Sequence, residues 1–276
     1  MPTTGVSETA GPSRTAMITA GARGWHLFTR GPHAVLADWL AWPLVGSPAE
    51  ALFAGIRATF GDVVGQAATW IAARSRIGED WLAASGAEQY VILGAGLDSF
   101  AWRQRGGVRV FEVDQPAAQA WKRARLEALG IPLPPELVWV PVDFEVESVA
   151  AGCDAAGLSS GPTFISWLGV IHYLSLEAIS ATLRGLPPCS LAVTYITPED
   201  TWHGDIGTAS KTFQAMALQA GEPLVSMLTP DHMADVLTEA GFAVVEDVGP
   251  EDVEARYGLP ALSIANERIA LATKKA

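Results

Sequence analysis

The chain has 276 residues, of which 49% are hydrophobic, and its formal net charge is −12. This length suffices for one α/β domain with a sizeable core, or for two small domains. The negative charge disfavours nucleic-acid and anionic membrane partners, because both are bound by basic surfaces.

The first 86 residues are predicted to form a flexible arm followed by a helical cap. Residues 1–15 are rich in Thr, Ser, Gly and Pro and lack the apolar centre of a signal peptide. In residues 16–86, apolar side chains recur at helical spacing, including residues 34–42, with breaks at Arg30-Gly31-Pro32 and from Trp42-Pro43 onward. Because this block precedes the first strand, we expect it to cover the sheet and its ligand-binding edge.

A glycine turn follows the first predicted strand. The apolar run before it ends in Gly94-Ala95-Gly96, where the missing side chains let a ligand approach the backbone. A second apolar run ends in Asp114, about 20 residues later, an offset that suits a carboxylate bound to ribose hydroxyls, and Gln115 follows it. These two strand ends predict a nucleoside pocket, although Gly-x-Gly also occurs in ordinary tight turns.

The same stretch distinguishes between two nucleoside cofactors. Phe100 and Ala101 stand where the dinucleotide fingerprint has its third glycine, which disfavours a pyrophosphate bound to a helix N-terminus. The pattern therefore favours S-adenosylmethionine over NAD. Asp98, just after the turn, is predicted either to bind the methionine amino group or to cap the next helix.

Two further strand ends carry candidate cofactor residues. The third strand, residues 137–142, leads into Asp143 and Phe144, and an acid followed by an apolar residue at this place suits adenine. The alternative for Asp143 is a helix cap. The fourth strand, residues 163–168, contains Trp167, which we also assign to the cofactor site.

The predicted substrate side combines the end of strand four with the segment after strand five. His172 is a candidate general base or a structural histidine, and Tyr173 is predicted as a packed ring beside the cofactor and the substrate. Residues 197–229 are expected to form a lid, because they interrupt the alternation of strand and helix at the ligand edge. Further substrate-pocket candidates are Tyr195, Trp202 and His203, of which His203 is a second candidate base.

Four ordered motifs resemble the leucine carboxyl methyltransferase family, and in particular its bacterial polyketide O-methyltransferase-like branch. They are VILGAGLDSFAWR, VFEVDQPAAQAWKRARL, VPVDFE and FISWLGVIHYL. The resemblance implies a Rossmann-like class I methyltransferase fold with a mostly parallel seven-stranded sheet, spanning residues 16–276 as one domain with the α/β core at 87–276. The alternation of strands and helices in the core independently predicts a parallel sheet.

The resemblance also implies two basic residues near the carboxylate of S-adenosylmethionine. By motif match these are Arg23 and Arg74, whose guanidinium groups can bind a carboxylate in a bidentate manner. A surface salt bridge is the alternative for each. Arg76 is a second candidate for the family position assigned to Arg74, because the two arginines are only two residues apart. Leu168 stands where the eukaryotic members have a glutamate, so any role of that glutamate is absent here.

The expected activity is methyl transfer from S-adenosylmethionine to a small molecule, at the oxygen of a carboxylate or hydroxyl in secondary metabolism. The alternatives are C- or N-methylation of a natural product, a module that binds S-adenosylmethionine without turnover, and a dinucleotide dehydrogenase. We expect a cytoplasmic monomer or homodimer without a metal ion. The two cysteines, Cys153 and Cys189, lie in no metal-binding pattern and are expected to be reduced thiols.

Overall fold

The computed structural model describes residues 13–46, 55, 57–58, 61, 63–144, 146–202, 207, 210–211, 214–215, 217–218, 221–259, 262 and 266–275. Seven strands form one sheet in the order β3-β2-β1-β4-β5-β7-β6, in which β7 runs against all the others. The strands are β1 Gln89–Leu93, β2 Arg109–Asp114, β3 Leu137–Pro141, β4 Thr163–Trp167, β5 Cys189–Ile196, β6 Phe242–Val248 and β7 Glu267–Lys274. The predicted mostly parallel α/β sheet is confirmed.

Helices cover both faces of this sheet. They are α1 Arg14–Arg30, α2 Ala41–Val45, α3 Val63–Ser85, α4 Phe100–Arg103, α5 Pro116–Ala128, α6 Val149–Ala155, α7 Leu176–Gly185, α8 Pro230–Glu239 and α9 Val253–Tyr257. In the described part of the chain, none of these helices combines the length and the hydropathy required to cross a membrane.

The central strands are buried on both faces, as expected for parallel strands between helical layers. All five residues of β1 are buried, and alternate residues enter two different cores. Val91 and Leu93 pack in the core that includes residues of α6, α7 and α8, whereas Tyr90 and Ile92 pack in the core beneath α3. The period of two along the strand therefore assigns each side chain to one helical layer.

The N-terminal block is helical but differs from its prediction in three places. Helix α1 begins at Arg14, within the predicted arm, and the Ser13 hydroxyl caps it by accepting from the Ala16 N–H at 3.0 Å. Residues 34–40 are not helical, although their apolar spacing suggested it. Trp42-Pro43 lies inside α2 instead of breaking a helix, because Pro43 occupies the first turn, where no intrahelical N–H bond is needed. Residues 1–12 lie outside the described residues.

A buried ion-pair network joins this helical cap to the sheet. Asp38 is 1% exposed and accepts from Arg23 Nε at 2.7 Å and from the Ala41 N–H at 3.1 Å. Its carboxylate also accepts from the Ser99 hydroxyl, which belongs to the segment just after the glycine turn. Arg103 lies 3.7 Å from the same carboxylate. Burial alone would raise the pKa of Asp38, but Arg23, Arg103 and Ser99 together hold it below its usual value.

We predict that Asp38→Ala lowers the free energy of unfolding by about 3–5 kcal/mol, because it leaves the buried guanidinium group of Arg23 without its carboxylate partner. Urea denaturation at pH 7 measures this loss. The control is Asp80→Ala, which breaks the half-exposed Arg76–Asp80 pair on the surface of α3 and should cost no more than about 1 kcal/mol. Equal losses in the two variants would contradict the role given to Asp38.

Candidate active site

A cavity of about 880 Å³ lies at the carboxyl ends of the parallel strands, enclosed by α1, α3 and residues 221–225. We call it the strand-end cavity. Its volume is in the upper part of the range of roughly 300–1,000 Å³ found for small-molecule sites. Its position is the edge at which open α/β sheets bind their ligands.

The glycine turn forms one wall of the strand-end cavity. Gly94 and Gly96 both have positive φ values, 66° and 48°, and a Cβ on Gly94 would lie 2.5 Å from Val170 Cγ2. The N–H groups of the turn are already used: Gly94 and Ala95 donate to the Val113 carbonyl at 2.8 and 3.1 Å, and Gly96 donates to the Asp114 carboxylate. A pyrophosphate needs such N–H groups free. The turn therefore fits a ligand that approaches through van der Waals contact and hydroxyl groups.

Asp114 lies at the end of β2, on the floor next to this turn. One carboxylate oxygen accepts from Gly96 and the other from the Gln115 N–H at 2.7 Å. Burial raises the pKa of Asp114, and the two backbone donors oppose this effect. Each oxygen keeps a lone pair for a ligand hydroxyl. Gln115 also lines the cavity, at the start of α5.

Asp143 and Phe144 follow β3 and line the same end of the cavity. The Phe144 ring is stacked on the Trp167 ring, with centroids 6.4 Å apart and an interplanar angle of 18°. Phe144 can therefore present one supported face to an aromatic base. The Asp143 N–H donates to Glu147 at 2.8 Å, which orders the start of the loop after β3.

Asp98 lies in the cavity wall. Its Oδ1 accepts from the N–H of Phe100, the first residue of α4, at 2.7 Å, whereas the N-cap residue of this helix is Ser99, which makes no side-chain capping bond. Behind it, the Asp98 carbonyl accepts from Lys122 Nζ at 2.6 Å, and Lys122 also pairs with Glu112 at 2.6 Å. Lys122 and Glu112 are each 1% exposed. Burial raises the pKa of Glu112 to about 7, against the opposing effect of Lys122.

The two arginines predicted to bind a carboxylate both line the cavity, and both are buried and already paired. Arg23 is held by Asp38, and its Nη2 donates to the Leu97 carbonyl at 2.8 Å. Arg74 pairs through Nη1 with Glu267, while its Nε is buried without a hydrogen-bond partner. Arg76 pairs with Asp80 on the surface and does not line the cavity. The geometry thus selects Arg74 over Arg76.

His172 and Tyr173 line the cavity next to each other, with ring centroids 4.2 Å apart. Burial, opposed by nearby Glu267 and assisted by Arg74, lowers the pKa of His172 to about 4. His172 Nδ1 is buried without a partner. Burial also raises the pKa of Tyr173 to about 12. Both rings are therefore neutral at pH 7.

We call the other end of the cavity the cap end, and it has apolar walls and a polar floor. Apolar residues from α1 and α3, including Ile18, Val64 and Ile71, form its walls. Trp202 is 6% exposed, lines this cavity and donates from its indole N–H to the Thr197 carbonyl at 3.0 Å.

The polar floor of the cap end was not predicted from the sequence. Glu267, the first residue of β7, accepts from Arg74 and from Trp70 Nε1, the latter at 2.7 Å. Beside it, Asn266 Nδ2 donates to the Ser210 hydroxyl at 2.9 Å. The spacing of Trp70 and Arg74 by four residues, which places both on one face of α3, was the available signal, but their partner lies 193 residues further along the chain.

Two predicted site residues do not line the cavity. Trp167 follows Ser166 and precedes Leu168, both of which line it, so the alternation of β4 turns Trp167 into the opposite core. Tyr195 precedes the lining residue Ile196 on β5, is buried in that same core and donates to Asp247 at 2.7 Å. The direct contacts predicted for these two side chains are therefore wrong, and Trp167 acts by supporting Phe144. His203 lies outside the described residues.

The sheet order and a ligand cavity at the strand ends define a Rossmann-like class I methyltransferase fold. A DUF574 family protein from Streptomyces avermitilis MA-4680 has a similar structure, with a TM-score of 0.62 and 16% sequence identity, covering 95% of this chain and 98% of that one. The leucine carboxyl methyltransferase family model matches residues 16–186. The chain belongs to this family, and the predicted resemblance and fold class are confirmed.

Curated relatives agree with this family. "Putative S-adenosyl-L-methionine-dependent methyltransferase YktD" of Bacillus subtilis strain 168 is 33% identical over 177 residues, which are 61% of this chain and 58% of YktD. A relative with the same general description from Mycobacterium sp. strain KMS is 27% identical over 275 residues, covering 91% of this chain and 89% of the relative. The match to YktD thus spans less than two thirds of that protein.

We predict that acidification destabilises the protein through His172. The imidazole of His172 has a pKa of about 6.5 in the unfolded chain and about 4 in the folded protein. Between these two values the unfolded chain binds a proton that the folded protein does not bind, so the free energy of unfolding falls as the pH is lowered. The part of this loss that His172 causes should reach about 2 kcal/mol at pH 5, at 1.36 kcal/mol per pKa unit. Urea denaturation of wild type and His172→Gln from pH 7 to pH 5 measures it, and the variant should lose less stability.

The matched control for losing an imidazole is His33→Gln, because His33 is exposed. A His172→Gln variant with the same pH dependence as wild type would show that His172 does not cause the effect.

Proposed function

We propose that this chain transfers a methyl group from S-adenosylmethionine to an oxygen atom of a small molecule, a carboxylate or hydroxyl compound of secondary metabolism. The observation that carries the proposal is one continuous cavity with a glycine turn and strand-end acids at one end and apolar cap helices at the other. Such a cavity can hold a donor and an acceptor side by side. A cytoplasmic location and a monomeric or homodimeric state stay predictions from the sequence.

The glycine-turn end fits the adenosyl part of this cofactor. Asp114 would accept from the ribose hydroxyls, while Asp143 and the Phe144 ring would hold adenine. The backbone donors of the turn are internally bonded, which disfavours a dinucleotide and leaves no reason to retain the dehydrogenase alternative. Arg23, Arg74 and Asp98 surround the place for the methionine part, where guanidinium groups suit its carboxylate and Asp98 suits its amino group.

The electrostatic balance of the cavity also suits a cationic donor. Among the residues that the structure describes, five carboxylates line it, from Asp98, Asp114, Asp143, Glu222 and Glu267, against two guanidinium groups, from Arg23 and Arg74. When bound there, S-adenosylmethionine would supply an activated methyl group on a positively charged sulfur, which would keep the electron pair of the carbon–sulfur bond when the methyl group is transferred to the acceptor oxygen. The protein then has to align the acceptor, exclude water and receive any proton that the acceptor loses.

The proposed cofactor site predicts that Asp114→Asn weakens the binding of S-adenosylhomocysteine about tenfold to a hundredfold, because charge-assisted hydrogen bonds contribute about 1.5–3 kcal/mol each. Isothermal titration calorimetry measures the dissociation constants. Asp235→Asn, an exposed site on α8, is the control and should bind like wild type. No heat with the wild-type protein, or equal affinity in Asp114→Asn, would contradict the proposed site.

Turnover is tested separately from binding. Labelled S-adenosylmethionine is incubated with the protein and a panel of aromatic acids, phenols and alcohols, and transfer of label is followed. Methylated product supports the proposed methyltransferase activity. Binding of S-adenosylhomocysteine without any product from the panel favours the alternative, a module that binds S-adenosylmethionine without turnover.

A further inference from the structure

Building on the proposed function, we infer that the methyl acceptor is a neutral hydroxyl compound with an apolar body, and that Glu267 excludes carboxylate acceptors. Glu267 is thereby a specificity-determining residue of the cap end. The inference rests on the charges, contacts and burial of the side chains around this floor.

The first step concerns the cations that a carboxylate acceptor would need. Among the described residues that line the cavity, the only arginines or lysines are Arg23 and Arg74. Arg23 is neutralised by Asp38, on the glycine-turn side. Arg74 pairs with Glu267 and, in the proposed function, also faces the methionine carboxylate. A second carboxylate placed at the cap end would therefore meet the charge of Glu267 without an uncompensated cation to offset it.

The second step concerns how firmly Glu267 is fixed. Its two oxygens are held by two donors from the same helix, Arg74 and Trp70. The residue is 7% exposed, so water screens its charge weakly. Because both oxygens already have strong donors, Glu267 is also a poor partner for the ammonium group of an amine acceptor.

The third step concerns what the remaining floor can bind. Asn266 and Ser210 present an amide and a hydroxyl group, both uncharged. His172, which lines the same cavity, adds a neutral imidazole. These groups match a hydroxyl, which both donates and accepts a hydrogen bond. His172 is the described group that can take the hydroxyl proton as the new carbon–oxygen bond forms. The apolar walls from α1 and α3 suit the body of such an acceptor.

The test uses three probes with one ring system: 2-naphthol, 2-naphthoate and 2-(aminomethyl)naphthalene. Each is titrated into the protein saturated with S-adenosylhomocysteine, and affinity is measured by calorimetry. Wild type should bind 2-naphthol more tightly than the other two. Glu267→Gln should bind 2-naphthoate at least about tenfold more tightly than wild type, because a carboxylate charge next to the probe is gone. Its affinity for 2-naphthol should change less than about threefold.

A control variant makes the result specific. Glu251→Gln removes an acid that pairs with Arg268 away from the cavity, and it should behave like wild type. Thermal unfolding of each variant shows whether it is folded.

A wild-type preference for 2-naphthoate or the amine would overturn the inference, and so would an unchanged selectivity in Glu267→Gln. No detectable binding of 2-naphthol at about 1 mM would overturn it as well. The titration with S-adenosylhomocysteine comes first, so failure of the proposed function shows as no cofactor binding. Failure of this inference alone shows as cofactor binding with the wrong acceptor preference.

Discussion

The buried carboxylate of Asp38 fixes the position of the helical cap against the sheet. It accepts from Arg23 on α1 and from Ser99 behind the glycine turn, so one side chain ties together both sides of the strand-end cavity. A buried charge is tolerated only where its hydrogen bonds are satisfied, and this carboxylate is surrounded by donors. The shape of the cavity depends on this contact, because α1 and the glycine turn both line it.

The glycine turn is rigid for a related reason. Its N–H groups are bonded to Val113 and Asp114, and the carbonyl of Asp98 is held by Lys122. Lys122 itself lies between two indole rings, 5.2 Å from the Trp102 centroid and 5.6 Å from that of Trp139, and it pairs with Glu112. A ligand thus meets a wall whose polar groups are satisfied before it binds. Such preorganisation reduces the ordering that binding would otherwise require.

The strand ends could be predicted from the sequence because their signals are local. Gly94, Asp114 and Asp143 each follow a short apolar run, and the carboxyl ends of parallel strands meet at one edge of a sheet. The direction of single side chains was harder. Trp167 and Tyr195 were assigned to the site by their closeness to a strand end, while the alternation along β4 and β5 turns both into the core behind the sheet.

Residues that act through distant partners could not be found in this way. Asp38 lies in a non-helical stretch whose apolar spacing resembles a helix, and its function appears only when Ser99 is brought beside it. Glu267 is paired with a helix that precedes it by more than 190 residues, and the two meet because β7 is inserted antiparallel beside β5. The order of the last two strands was available only through resemblance to a family. The order of the strands therefore brings the charged side chains of the cap end together, and no local sequence pattern predicts this arrangement.

The two ends of the cavity therefore differ in how a substitution would affect the backbone. The glycine-turn end is built by consecutive strand–turn–helix units, so a change there disturbs the backbone of the sheet edge. The cap end is assembled from α3, the start of β7 and the segment after β5, and its side chains can be exchanged without moving a strand end. Since Glu267 is held by two side chains of α3 and not by backbone groups, a few substitutions on one helix face would suffice to alter the charge presented to the acceptor. A fold of this kind can keep its methyl donor and change the molecule it methylates.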